Sequence, residues 1–194
     1  MKFMSSTNRK FTEAGLAWHI VEEAINNEVK WLERVIEQTV IRKVPGCDDC
    51  RYTYRKIALL IVTGKIGAKE FIAREGHDLW DDLTQRYGMK GSARHGGDWH
   101  KRMMDVITEY FENQGFEVIP EPFLSKGRAD LGIYKDGQMD LFVEVGTTSA
   151  HKLWWNLQML TNSKILLVSD EKRVIEFICR SEGQDIVGRE LKKD

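Results

Sequence analysis

The sequence predicts an α/β protein, with a helical N-terminal region ahead of a mixed sheet flanked by helices. Three observations lead there. Apolar residues recur at three- and four-residue steps through the first 45 positions. After Gly115, short apolar runs of strand length take over. Two of those runs flank an Asp136-Gly137 turn signal, the mark of a β-hairpin.

The chain has 194 residues, enough for one domain or a compact core with an extension. Its 29 basic and 30 acidic residues leave a net charge of −1, so it is no polybasic nucleic-acid tail. Hydrophobic residues at 42% and charged ones at 30% are those of a globular protein. Three prolines and sixteen glycines exclude a collagen-like or Pro-rich linker protein. No apolar run reaches the roughly 18 residues that a membrane span needs, and Met1–Asn8 hold no apolar signal core. The expectation is an intracellular, cytoplasmic protein with no membrane partner. Three cysteines fit a reducing compartment. Cys47-Asp48-Asp49-Cys50 reads as half a zinc site, a redox pair, a disulfide or a turn. Zinc would need two further ligands, such as His77 and His95.

The elements follow in order. Ala14, Trp18, Val21, Ile25, Val29, Leu32, Ile36 and Val40 form a helical stripe that Pro45-Gly46 ends. Residues 53–64 form a mainly apolar segment that reads as helix. Residues 68–87 read as helix, with Phe71, Ile72, Leu79, Trp80 and Leu83 on one side. A glycine-containing loop then gathers Arg86, Lys90, Arg94, Lys101 and Arg102. Residues 98–114 form a helix with a Met103, Val106, Ile107, Tyr110 and Phe111 stripe, stopped by Gly115. Strands are expected at 116–119, 129–134, 141–145 and 164–168, with helices at 150–160 and 171–180. The order is α-β-β-β-α-β-α, a layered α/β structure. The division is residues 1–90, a helical N-terminal region, and residues 91–194, the core.

Register carries the chemistry. Alternation puts Leu131 and Ile133 on one face of the first hairpin strand, and Leu141, Val143 and Val145 on one face of the second. Both sets belong to the core, because a slip of one residue would send one of them to solvent. Pairing Leu131 with Val143 sets Asp130 opposite Glu144. A two-residue loop would shift the pairing and separate the acids, so the loop has three or five residues or carries a bulge. Like charges directly opposite are unfavourable on a sheet. A divalent cation relieves them, and hard oxygen donors suit Mg²⁺ or Mn²⁺. The plainer reading pairs a carboxylate with Lys126, Arg128 or Lys152, or leaves it facing water.

Residues 98–168 resemble the PD-(D/E)XK nuclease superfamily, most closely the branch of archaeal Holliday-junction resolvases. The resemblance lies in the helix ending Asn113-Gln114-Gly115-Phe116-Glu117-Val118, in Gly127-Arg128-Ala129-Asp130-Leu131, and in Leu141-Phe142-Val143-Glu144-Val145-Gly146. It implies a restriction-endonuclease-like core, α-β-β-β-α-β, with an N-terminal helical extension. It implies that Asp130, Glu144 and the backbone carbonyl of Val145 bind Mg²⁺ or Mn²⁺. Two departures stand out. Ala129 replaces the motif proline, and Gly146 stands where the family usually has lysine. Lys152, early in the following helix, is the candidate replacement, with Lys126 the alternative. The family often adds a carboxylate from its first helix, for which Asp105 and Glu109 are candidates, with Asp98 and His100 nearer the helix start. Thr148 or Ser149 can cap the helix after the acidic strand. Gln158 either supports the site or faces solvent. Trp154-Trp155 packs one ring on the sheet and turns the other to a dimer surface or a base.

The expected function is metal-dependent hydrolysis of DNA phosphodiesters by Asp130, Glu144 and Lys152, on branched or junction DNA by analogy. Arg94, Lys101, Arg102, Lys126 and Arg128 would touch the DNA backbone. A homodimer is implied, since cutting two strands needs two sites. The rival readings are a nuclease fold that has lost activity with its lysine and only binds nucleic acid, and a structural or protein-interaction protein.

Overall fold

The computed structural model describes residues 6–39, 49–72, 96–169 and 173–181. It contains four helices and six strands in these segments. Helix α1 (Ser6–Thr39) and helix α2 (Asp49–Val62) come first, followed by strand β1 (Ile66–Ile72). Helix α3 (Asp98–Glu112) leads into β2 (Glu117–Pro120), β3 (Leu131–Tyr134) and β4 (Asp140–Val145). Helix α4 (Ala150–Met159), β5 (Ser163–Val168) and β6 (Arg173–Cys179) complete the order.

The strands form one mixed sheet in the order β1-β6-β5-β4-β3-β2. Only β4 and β5 are parallel, joined through α4; the other neighbours are antiparallel. Helices cover both faces. Ile25, Val29, Leu32 and Val35 of α1, Ile57 and Ile61 of α2 and Leu153 and Leu157 of α4 pack on one face, against Phe142, Ile165, Leu167, Ile175 and Phe177. Trp99 and Met103 of α3 cover the other, against Leu131, Ile133, Val143, Val145 and Val168. Burying each such Ile, Leu or Phe contributes about 1.5–3 kcal/mol, which fixes the two layers.

The expected hairpin register holds. Leu131 pairs with Val143 and Ile133 with Leu141, and both apolar sets lie in the α3-side core. Residues 135–139 make the five-residue loop. Gln138 N–H donates to the Lys135 carbonyl at 3.0 Å, and Gly137 supplies the left-handed φ of +77° that this turn requires. Gly115, at φ +76°, ends α3 as expected, with Phe116 N–H returning to the Phe111 carbonyl.

Two elements differ from expectation. Residues 173–179 are strand β6, not helix. Ile175, Phe177 and Cys179 are fully buried while Val174, Glu176 and Ile178 are less so, the two-residue period of a strand. Residues 66–72 are strand β1, which includes 68–72, the start of the helix expected at 68–87. Its whole length pairs with β6, from Ile66–Cys179 to Ile72–Arg173. Helix-forming Ala68, Lys69 and Glu70 are overridden by this pairing, because local propensity is worth only tenths of a kcal/mol per residue. Glu70 anchors the edge by accepting from Arg173 at 3.1 Å and pairing with Arg34 at 3.5 Å. Thus the N-terminal region contributes a strand to the same sheet as the rest. The expected boundary near residue 90 lies outside the described residues.

At about 1.5 Å per residue helix α1 runs about 51 Å, against about 21 Å for α2. Among its side chains described, at residues 17–35, Trp18 and Val21 of the expected stripe are exposed and Ile25 is the first that is buried.

Candidate active site

The C-terminal end of β4 gathers several of the buried polar residues, among them His100, Asp130, Glu144 and Thr148. Val143 and Val145 face α3, so alternation turns Glu144 to the opposite face, toward α4. Beyond Val145 the chain must leave the sheet. Gly146 does this with φ +81° while its N–H still donates to the Val168 carbonyl at 2.8 Å. A lysine here would sit in left-handed backbone at a cost of about 1–2 kcal/mol, so glycine suits this position.

The turn brings α4 back over the strand end. Ser149 caps α4, accepting from Lys152 N–H at 3.1 Å. Lys152 thus stands in the first turn, and its Nζ lies 2.7 Å from each oxygen of Glu144. The Glu144 side chain is 8% exposed and that of Lys152 24%. Lys152 thus reaches back to the strand end that carries Glu144. Burial raises the Glu144 pKa. The charge and hydrogen bond of Lys152 oppose this, the Asp130 charge adds to it, and the neighbouring Thr148 hydroxyl lowers it slightly. The net direction is upward. Thr148 is buried, and its hydroxyl forms no hydrogen bond of full geometry among the described residues.

Asp130 reaches the same strand end from the other side. The β3–β4 ladder stops at Leu131–Val143, one residue short of the expected Asp130–Glu144 pairing. Asp130 N–H donates to the Val143 carbonyl at 3.0 Å, and its Oδ2 accepts from Val145 N–H at 2.6 Å. The carboxylate itself occupies the place of the next ladder bond. Both acids are about 6% exposed, and they are close enough for the charge of Asp130 to act on Glu144.

The residue that α3 contributes is His100. Its Nδ1 lies 3.0 Å from the Val145 carbonyl. A carbonyl only accepts, so Nδ1 carries the proton. Nε2 lies 3.7 Å from Asp130 Oδ1, near but beyond hydrogen-bond length. The expected acids on this helix, Asp105 and Glu109, are both exposed. Asp98 is exposed as well. The helix offers the site an imidazole in place of a carboxylate.

The remaining expected residues fall as follows. Lys126, the alternative amine, is held in the turn at residues 124–127. Its backbone is clamped by Asn156, which accepts from Lys126 N–H at 2.8 Å and donates to the Lys126 carbonyl at 3.2 Å, while the residue is exposed. Arg128 pairs with Glu121 at 2.9 Å. Lys101 and Arg102 are exposed on α3, and Gln158 on α4. Arg94, His77, His95, Cys47 and the Cys50 side chain lie outside the described residues. Asn156 was legible only as a polar residue on an apolar helix. With 1% exposure and both backbone groups of Lys126 satisfied, it fixes the turn beside Lys152.

Asp130, Glu144 and the Val145 carbonyl are hard oxygen donors converging at one strand end. The buried Thr148 hydroxyl lies beside Glu144. No group of three or more His, Cys, Asp or Glu side chains able to hold a metal ion occurs among the described residues. The donor set is therefore partial. It suits Mg²⁺, which keeps several waters and binds through one or two carboxylates. No helix among the described residues is long and apolar enough to cross a membrane. No family model, curated protein or solved structure matches the chain.

Proposed function

We propose that this protein is a divalent-metal-dependent endonuclease that hydrolyses DNA phosphodiester bonds, built on a PD-(D/E)XK-type core. The observation that carries this reading is the buried convergence of Asp130, Glu144 and Lys152 at the C-terminal end of β4. The order α3-β2-β3-β4-α4-β5 supports it. Asp130, Glu144 and the Val145 carbonyl would hold Mg²⁺ or Mn²⁺, which lowers the pKa of bound water and offsets phosphate charge.

The chain's own residues do the rest. Glu144, kept as a pair with Lys152, presents negative charge where a cation is needed. Lys152 can swing from Glu144 to a phosphate oxygen, because its stem is long and partly exposed, and there it neutralises charge that develops in the transition state. His100 fixes the Val145 carbonyl direction, and Val145 N–H fixes the Asp130 carboxylate. Arg128, Lys126, Lys101 and Arg102 bind the DNA backbone without reading sequence. A homodimer acting on branched DNA is part of the same proposal.

Plasmid nicking with Mg²⁺ or Mn²⁺ tests it. The wild type nicks and Asp130→Asn does not. Equal nicking by both would take Asp130 out of the reaction, and none by either under any divalent cation would leave a nucleic-acid-binding or interaction protein instead.

A further inference from the structure

Beside the Glu144–Lys152 pair lies a surface that hydrolysis alone does not require. Leu124 N–H donates to the Gly127 carbonyl at 2.9 Å, so residues 124–127 form a tight turn. The turn is docked on α4 by Asn156 and by the Lys152 stem, whose Cε would lie 3.7 Å from a Cβ on Gly127. At the base of the turn Phe123 pairs with Arg128. The Phe123 ring is 77% exposed, and the Arg128 guanidinium lies over it at 4.2 Å. A phenylalanine this open contributes nothing to the core.

Helix α4 continues the surface. His151, Trp155 and Met159 are exposed at four-residue steps, so they share one face. The His151 and Trp155 rings are stacked, 6.3 Å apart at 26°. Trp154 packs against the core beside α2 and under Lys56, with its ring edge-on to Trp155 at 5.5 Å and 5.8 Å from His151. Lys152 is the neighbour of His151 and lies three residues before Trp155, so the ring stack and the docked turn flank the lysine that reaches Glu144.

We propose that Phe123 with Arg128 and the His151–Trp155 stack form a platform beside this site that binds single-stranded DNA by stacking on unpaired bases. The inference rests on the nuclease reading for its substrate and narrows that substrate to DNA with an unpaired segment. Flat rings can stack on any base, whereas duplex DNA hides its base faces. Lys126, Arg128 and Lys152 supply positive charge for a phosphate backbone, Arg128 being paired with Glu121 and Lys152 with Glu144.

The test is fluorescence anisotropy without divalent metal, using a labelled thymidine oligonucleotide and a blunt duplex of equal length. The wild type binds the oligonucleotide more tightly than the duplex. Trp155→Ala and Phe123→Ala each weaken oligonucleotide binding by about 5- to 100-fold, the worth of one stacked base, with little change for the duplex. Trp155→Phe restores most of the loss. Phe123 is too exposed for its removal to unfold the chain, so that variant stands even if Trp155→Ala is unstable. Unchanged oligonucleotide affinity in both alanine variants overturns the proposal. So does Trp155→Ala changing the sedimentation mass at constant affinity, because the strip is then a contact between copies. Nicking assays on the same proteins separate the two readings. Selective loss of oligonucleotide binding in a protein that never nicks keeps the platform and removes the nuclease. Robust nicking with unaltered binding in the variants removes the platform alone.

Discussion

Replacing Lys152 by methionine isolates the electrostatics of the site. The change keeps the aliphatic stem along Gly127 and removes the ammonium that lies 2.7 Å from both Glu144 oxygens. Breaking a fully buried pair costs about 3–5 kcal/mol. Lys152 is 24% exposed, so water recovers part of this, and about 2–4 kcal/mol is expected at neutral pH. The cost depends on pH, and its sign is fixed. The Glu144 pKa is already raised above 4.5 by burial, and losing Lys152 removes the two largest influences that hold it down. A raised folded pKa gives stability that is complete below the unfolded value and is lost as pH rises through the folded value. At acid pH the carboxyl of Lys152→Met is neutral and the variant approaches wild-type stability. The gap then widens toward neutrality. Urea denaturation of both proteins from about pH 4 to about pH 8 measures it. A gap that is flat with pH, or smaller than about 0.5 kcal/mol throughout, would refute the buried ion pair. In nicking, the same variant should lose about 100-fold or more.

Three further outcomes follow from the same geometry. Gly146→Lys places a side chain at φ +81°, so thermal unfolding should show about 1–2 kcal/mol of destabilisation and nicking should not improve; a gain in nicking contradicts the proposed assignment of the amine to Lys152. His100→Ala strips the Val145 carbonyl of its donor and leaves a small cavity, costing about 2–3 kcal/mol, and calorimetric titration should show weaker Mn²⁺ binding; unchanged Mn²⁺ affinity would detach His100 from the site. Mn²⁺ competes with a proton for Glu144, whose pKa is raised, so affinity should fall on acidification with a midpoint above 4.5; a midpoint at or below 4.5 would place the metal elsewhere.

The hairpin and its acids were legible because a two-residue period leaves little choice. Leu131, Ile133, Leu141 and Val143 share the core face only if the strands do not slip by one residue, and the expected Leu131–Val143 pairing is found. Lys152 was legible because a capping serine three residues earlier fixes where the helix begins. The last step of the pairing was not legible. The Asp130 carboxylate takes the Val145 N–H for itself, a local competition between side chain and backbone that periodicity does not encode. His100 was visible as a residue near the helix start, but its role was not. Its partner is a backbone carbonyl 45 residues away, and a carbonyl leaves no mark in a sequence. Strand β6 carried its own signal in Ile175, Phe177 and Cys179. Strand β1 carried none, since Gly67, Ala68, Lys69 and Glu70 extend only because β6 offers them an edge.

Anomalous diffraction from a crystal soaked in Mn²⁺ bears most directly on the account. A peak is predicted at the end of β4, within coordination distance of the Asp130 and Glu144 carboxylates and the Val145 carbonyl, with the Lys152 amine drawn off Glu144. A crystal that takes up no ion there, with the Lys152–Glu144 pair intact, would contradict it.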